Sequence, residues 1–215
     1  MRFTKYEMIG LYSSLGYKEL KGIDLRWDIP EDKKTEKIEE TINSFIEKGI
    51  LDDARNFTAP GKLMLKMLQN YNEASRIILF NQVRIAVCKD IAIVFSLHRN
   101  SRYEIEYLDL HAYNKNAYLN TILIYKSDLL KDYAKGKIPI KEKLKRRDFI
   151  KEITKYDEDK IILLGDVTTN NSKTEYIYYW DDVNCFCYDT KNQVKTNIEV
   201  GFIGAQIKEF FTREI

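Results

Sequence analysis

The spacing of apolar residues changes register once along the chain. Up to Tyr71 it is helical. Thr4 and Glu7 stand at capping-box spacing, and Tyr6, Ile9, Leu11 and Leu15 follow at roughly helical intervals until Gly16, which predicts a short first helix. Glu36 to Lys48 places Ile38, Ile42, Phe45 and Ile46 on one face between charged residues and meets Gly49, a good residue just past a helix end. Thr58 then offers an N-cap with Pro60 in the first turn, and Leu63, Met64, Met67, Leu68 and Tyr71 draw the stripe of a third helix.

From Arg76 onward the pattern is that of strands. Ile77, Leu79, Val83, Ile85 and Val87 form one β-branched run, Ile91, Ile93 and Phe95 a second after Lys89-Asp90, and Tyr103 to Leu110 a third that alternates apolar and acidic residues. Leu119, Ile122, Leu123, Leu129 and Leu130 return to helical spacing and close a β-β-β-α unit near Lys131. The order then repeats. Ile161 to Val167 and Glu175 to Trp180 flank the polar turn Asn170-Asn171-Ser172, Val183 to Tyr188 supplies a third strand, and Ile198, Phe202, Ile203, Ile207, Phe210 and Phe211 trace a last helix. The expectation is an α+β fold in one domain over 1–215. A helical part over 1–75 precedes two quasi-symmetric β-β-β-α units with antiparallel strands, over 76–131 and 159–215, joined by a basic linker or helix over 132–158.

Composition narrows the function. A chain of 215 residues, 44% hydrophobic and 32% charged, with 9 Gly and 3 Pro, buries a real core and is ordered. Thirty-five Lys and Arg against 33 Asp and Glu leave a formal charge of only +2, far from the basic excess of a dedicated nucleic-acid binder. The positive charge is local. From Lys131 to Lys155 ten basic residues face four acidic ones, an excess that reads either as a solvated connector or as a docking patch for an acidic partner, with Lys145, Arg146 and Arg147 at its densest point. Three scattered cysteines, an N-terminus without an apolar stretch and apolar runs too short for a membrane span predict a cytoplasmic protein without membrane insertion.

Chemistry-bearing patterns are sparse. Gly201 and Gly204 do not form a phosphate loop, Cys185 and Cys187 share a strand face but lack the further ligands zinc needs, and His98 and His111 stand in no metal-ligand spacing. No catalytic residue, metal or cofactor is expected. Fifteen tyrosines suggest surfaces suited to contact, and Tyr176, Tyr178 and Trp180 alternate along one strand, which reads either as packing beneath a helix or as a row of interface anchors. The stretch from Lys37 to Leu68, two helices joined by a short polar link, also resembles winged-helix domains. On that alternative the protein is a DNA-binding regulator, with only Lys62 and Lys66 on the helix that would face DNA.

Phe3-Thr4-Lys5-Tyr6-Glu7-Met8, Ile46-Glu47-Lys48-Gly49-Ile50-Leu51, Phe57-Thr58-Ala59-Pro60-Gly61, the run from Arg76 to Val87, and Asn197 to Ile203 followed by Ile207 to Phe211 occur in this order along nearly the whole chain. Together they resemble the EsaE (EssE) proteins of Firmicutes type VII secretion loci and, more distantly, the mycobacterial EspG chaperones. The Lys-rich middle departs from the more acidic linker of EsaE. The resemblance implies an EspG-like fold and a cytoplasmic chaperone or adaptor without cofactor. Its partners would be a secreted LXG-type toxin, or the helical targeting region or small helical partner proteins of that toxin, and the membrane ATPase of the secretion system.

Overall fold

Thr4 opens the first helix as its spacing predicts: its hydroxyl accepts from the Glu7 backbone N–H, and the Glu7 carboxylate accepts from the Thr4 N–H at 2.6 Å. The computed structural model describes residues 1–100, 104–125, 140–168, 173–181 and 183–213. Tyr103, the turn Asn170-Asn171-Ser172 and 126–139, with Leu129, Leu130 and the first part of the basic segment, lie outside the described residues.

The chain runs through strand β1 (Arg2–Thr4), helices α1 (Lys5–Ser14), α2 (Lys34–Glu47) and α3 (Ala59–Glu73), strands β2 (Arg76–Phe80), β3 (Val83–Cys88), β4 (Ile91–Arg99) and β5 (Ile105–Asn114), and helix α4 (Lys115–Tyr125). It continues with strand β6 (Lys141–Lys143), helix α5 (Arg146–Ile153), strands β7 (Ile161–Thr168), β8 (Lys173–Trp180), β9 (Cys185–Asp189) and β10 (Val194–Ile198), and helix α6 (Val200–Thr212). The protein is α+β. All the strands join one sheet in the order β1-β5-β4-β3-β2-β7-β8-β9-β10-β6, antiparallel throughout.

Three sequence expectations need correction. Arg76 to Val87 is two strands, because Asn81 takes φ 50° and turns the chain between them; asparagine tolerates that left-handed conformation, and an Asn-Gln pair is a weak turn signal beside Asn-Gly. Ile198 ends strand β10 and does not start the last helix, whose N-cap is Glu199; each meander therefore has four strands, not three. The basic segment holds a helix as expected but is no free connector: its described part contributes edge strand β6, paired to β10, and helix α5, docked on the sheet.

Alternation along the strands feeds two faces. Ile77, Leu79, Ala86, Ile93 and Phe95 point to one face and form the larger core with α1, α2 and α3, whose Met8, Leu11, Phe45, Leu68 and Tyr71 are buried. Gly61 lets α3 start close to the preceding loop, since a Cβ there would stand 2.2 Å from the Ile50 carbonyl oxygen. Ile78, Ile85, Val94, Leu164 and Tyr178 point to the other face under α4 and α6. Because α4 and α6 touch, the middle of this second face is roofed by a helix pair. Helix α5 lies on the first face beyond α1–α3, as the alternation of Ile161 and Leu163 along β7 shows. Among the described residues no helix is long and apolar enough to cross a membrane.

Candidate functional site

Helix α5 is short and its outer residues are mostly charged, so packing of its inner side must hold it in place. Phe149 is buried and stacks flat on Tyr188, with centroids 3.9 Å apart and planes 4° from parallel, while Tyr179 meets Phe149 edge-on. The Tyr188 hydroxyl donates to the Leu144 carbonyl at 3.0 Å and anchors the chain just before the helix. Glu152 makes the polar tie: one of its oxygens accepts from the Tyr179 hydroxyl at 2.9 Å and from Lys195 Nζ at 2.7 Å. Burial disfavours the Lys195 charge, but Glu152 and Glu142 outweigh it and raise the pKa of this lysine above its ordinary value.

This docking turns Arg147, Ile150, Lys151 and Thr154 outward, with Arg146 and Lys145 at the leading end, and all six are exposed. None of the basic residues among them makes an ion pair with a described residue, in contrast to Lys195 inside the tie. Ile150, 48% exposed, sets an apolar spot among the cations. Asp148 is the one exposed acid on the helix, so three cations of α5 outnumber it and are complementary to an acidic surface, and a central apolar side chain adds buried area on contact. Beside the helix an open cleft of about 620 Å³ is lined by Lys151, Lys155 and Lys160 on one hand and Asp148, Glu152, Asp157 and Asp181 on the other, a mixture with no cationic excess.

The aromatic row behaves differently from its sequence reading. Tyr178 and Trp180 are 1% and 7% exposed and pack with Ile203, Ile207 and Phe210 in the core beneath α6, and only Tyr176 is half-buried at its margin. A strand under a helix and a strand under a partner have the same alternation, and α6 supplies the cover here. Trp180 also lines the cleft beside α5. Lys62 and Lys66 are exposed on α3, whose Leu68 and Tyr71 are buried in the larger core. His98 sits 2.8 Å from Asp109, which also holds Arg2, and burial pushes the Cys185 and Cys187 thiols up to about 12, so both stay protonated. Among the described residues no group of three or more His, Cys, Asp or Glu is placed to hold a metal ion.

The exposed face of α5 is what reading by residue type could not assemble, because which of ten basic residues remain unpaired depends on how Phe149 and Glu152 orient the helix. No curated protein matches the chain. A family model described as a domain of unknown function matches residues 1–203, and on that match the chain belongs to the DUF5081 family.

Proposed function

We propose that the protein is a cytoplasmic chaperone or adaptor of a type VII secretion system, which binds a secreted LXG-type toxin or its helical targeting region and presents it to the membrane ATPase. It works by binding and not by turnover. The observation that carries the reading is the exposed cationic side of α5, whose lysine and arginines make no ion pair with a described residue, held by its aromatic underside and offered to an acidic helical partner. The strand order also favours an EspG-like, quasi-symmetric plan, since a four-strand meander extended by a three-residue edge strand lies on each side of the seam between β2 and β7.

Co-expression with the toxin of the neighbouring locus, followed by pull-down, tests the reading. Reversing Arg146, Arg147 and Lys151 to Glu is expected to weaken capture at least ~10-fold and to remove its salt sensitivity. Undiminished capture after the reversal overturns the assignment of α5, and no capture by the wild-type chain overturns the chaperone reading itself. Duplex DNA binding that is lost on substitution of Lys62 and Lys66 by Ala would replace it with the winged-helix alternative.

A further inference from the structure

The second sheet face holds a cavity that the chaperone reading does not use. It lies where the β3–β4 turn, the start of α4 and the end of α6 converge, and has a volume of about 490 Å³. Ile78, Val87, Phe210 and Phe211 line its apolar part. Four cations share the same wall: Arg76 from β2, Lys89 from the turn, Lys115 from α4 and Arg213 after α6. Asp90 is the one acid lining it.

Arg76 is the unusual member. It begins a central strand, and its side chain is 7% exposed. Nε lies 2.9 Å from Asp166 Oδ2, out of line for a hydrogen bond, and the guanidinium sits 4.8 Å from the Phe210 ring centroid. Nε and one terminal nitrogen are buried with no aligned acceptor. A buried guanidinium normally fills its donors, since leaving them empty is costly. Burial and the neighbouring Arg213 both disfavour its charge, and its pKa is lowered overall despite Asp166. The same arginine borders a second cavity of about 530 Å³, together with Asp166, Glu209 and Arg213.

Lys89 adds an independent sign. Its φ is 41°, a left-handed conformation that glycine adopts freely and lysine only under strain, in a two-residue connection between Cys88 and Ile91. Neither Lys89 nor Lys115 makes an ion pair with a described residue. A two-residue hairpin connection calls for positive φ, and a lysine kept there in place of glycine, without an ion pair to a described residue, sets a charge at the cavity mouth that a ligand can use.

We infer that this cavity binds a carboxylate carried next to an apolar group, the chemistry shared by a medium-chain carboxylic acid and by the C-terminus of a polypeptide ending in an apolar residue. Lys89, Lys115 and Arg213 supply the charge for the carboxylate, Arg76 sets a positive potential behind them, and Phe210 and Phe211 receive the apolar part. The volume falls in the range of small-ligand sites.

Calorimetric titration of the full chain with sodium octanoate, octan-1-ol, inorganic phosphate, and a hexapeptide ending in Leu-Phe as free acid or as amide tests this. Octanoate or the peptide acid is expected to bind at least ~10-fold tighter than its uncharged counterpart and than phosphate. Octanoate binding without peptide binding identifies a small acid as the ligand, preference for the peptide acid over the amide identifies a chain terminus, and both results together support the shared chemistry. Lys89→Glu with Lys115→Glu should weaken the interaction at least ~10-fold with unchanged melting; Arg213→Gln, at an exposed position, serves should that pair fail to fold. Binding of neither acid, equal binding of octanoate and octan-1-ol, or affinity untouched by these variants overturns the inference. The α5 variants leave this cavity intact, so its failure and that of the chaperone reading are distinguishable.

Discussion

The two ends of the sheet's first face are covered in different ways. Over β1 to β5, three helices and their connecting loops build a continuous core in which Phe95 and Tyr71 meet edge to face at 4.8 Å and the Tyr71 hydroxyl donates to the Lys21 carbonyl at 2.8 Å. Over β8 to β10, one eight-residue helix rests on a buried cluster of three aromatics, Phe149, Tyr179 and Tyr188. A broad cover distributes its stabilisation over many contacts and can leave its outside chemically ordinary. A narrow cover concentrates stabilisation in a few rings and one carboxylate, and this leaves Arg146, Arg147 and Lys151 of α5 facing outward, beside exposed Asp148 and Ile150. The thinner half of the fold is thus the half with the stronger candidate surface, as expected where binding elements are drawn from regions of lower local stability.

The largest expected effect tests that contrast directly. Phe95→Ala, in the broad core, should cost about 4 kcal/mol and lower the cooperative melting transition of the whole chain. Phe149→Ala removes a similar ring, yet its effect is bounded by the free energy of undocking α5, so a smaller global loss of about 2 kcal/mol is expected. Hydrogen exchange should then show the amides of α5 opening while β2 to β4 stay protected. Equal global losses from the two substitutions would break the contrast and make α5 as integral as α1–α3.

How much of this could be read from the sequence follows the same division. The capping box at Thr4, the stripe of Phe45 and Ile46, and the strand alternation from Arg76 onward are local patterns, and they predict the helices and most strands of the broad half. The pairing of β2 with β7 joins Ile77 to Val167 across ninety residues, and no local pattern encodes that choice. Trp180 illustrates the limit at the site. Its alternation with Tyr178 is visible, but whether α6 or a partner covers the row is decided by the docking of residues more than twenty positions later. The edge strands β1 and β6, three residues each, are too short for periodicity to register at all.

An intermediate effect concerns the carboxylates that tie each cover down. Glu7 in the broad half is 3% exposed and accepts from Thr4 N–H, Ser44 Oγ and Lys48 Nζ, linking α1 to α2. Burial alone would raise its pKa; Lys48, Ser44 and the Thr4 N–H more than reverse that and hold it below the usual carboxylate value. A carboxylate lowered in the folded state contributes stability that is complete above its unfolded pKa of about 4.3 and is lost as pH falls through the lower folded value. Glu7→Gln is therefore expected to cost about 2 kcal/mol near neutrality and to flatten the acid limb of the stability profile. Glu152→Gln, in the narrow half, should loosen α5 in hydrogen exchange and leave α1 and α2 unaffected. An acid limb that keeps its slope without Glu7 would place the acid-labile contacts elsewhere.

The smallest effect separates the seam between the halves from a turn within one of them. Asn81 and Lys89 both hold positive φ, 50° and 41°, at the ends of β3. Asn81 is compensated: its amide N–H donates to the Leu163 carbonyl at 2.9 Å, and its side-chain oxygen accepts from the Leu163 N–H at 2.7 Å, fastening the β2–β3 turn to β7. Lys89 has no such bond. Glycine at either site relieves the backbone, but at Asn81 it also removes a hydrogen bond to a half-buried amide. Lys89→Gly should accordingly raise stability by about 0.5–1 kcal/mol, roughly 1–4 °C in melting temperature, while Asn81→Gly lowers it by about 1 kcal/mol. Thermal melts of the two variants beside the wild type decide the matter: shifts of the same sign would mean that backbone conformation alone governs both turns and that Asn81 does not fasten the seam.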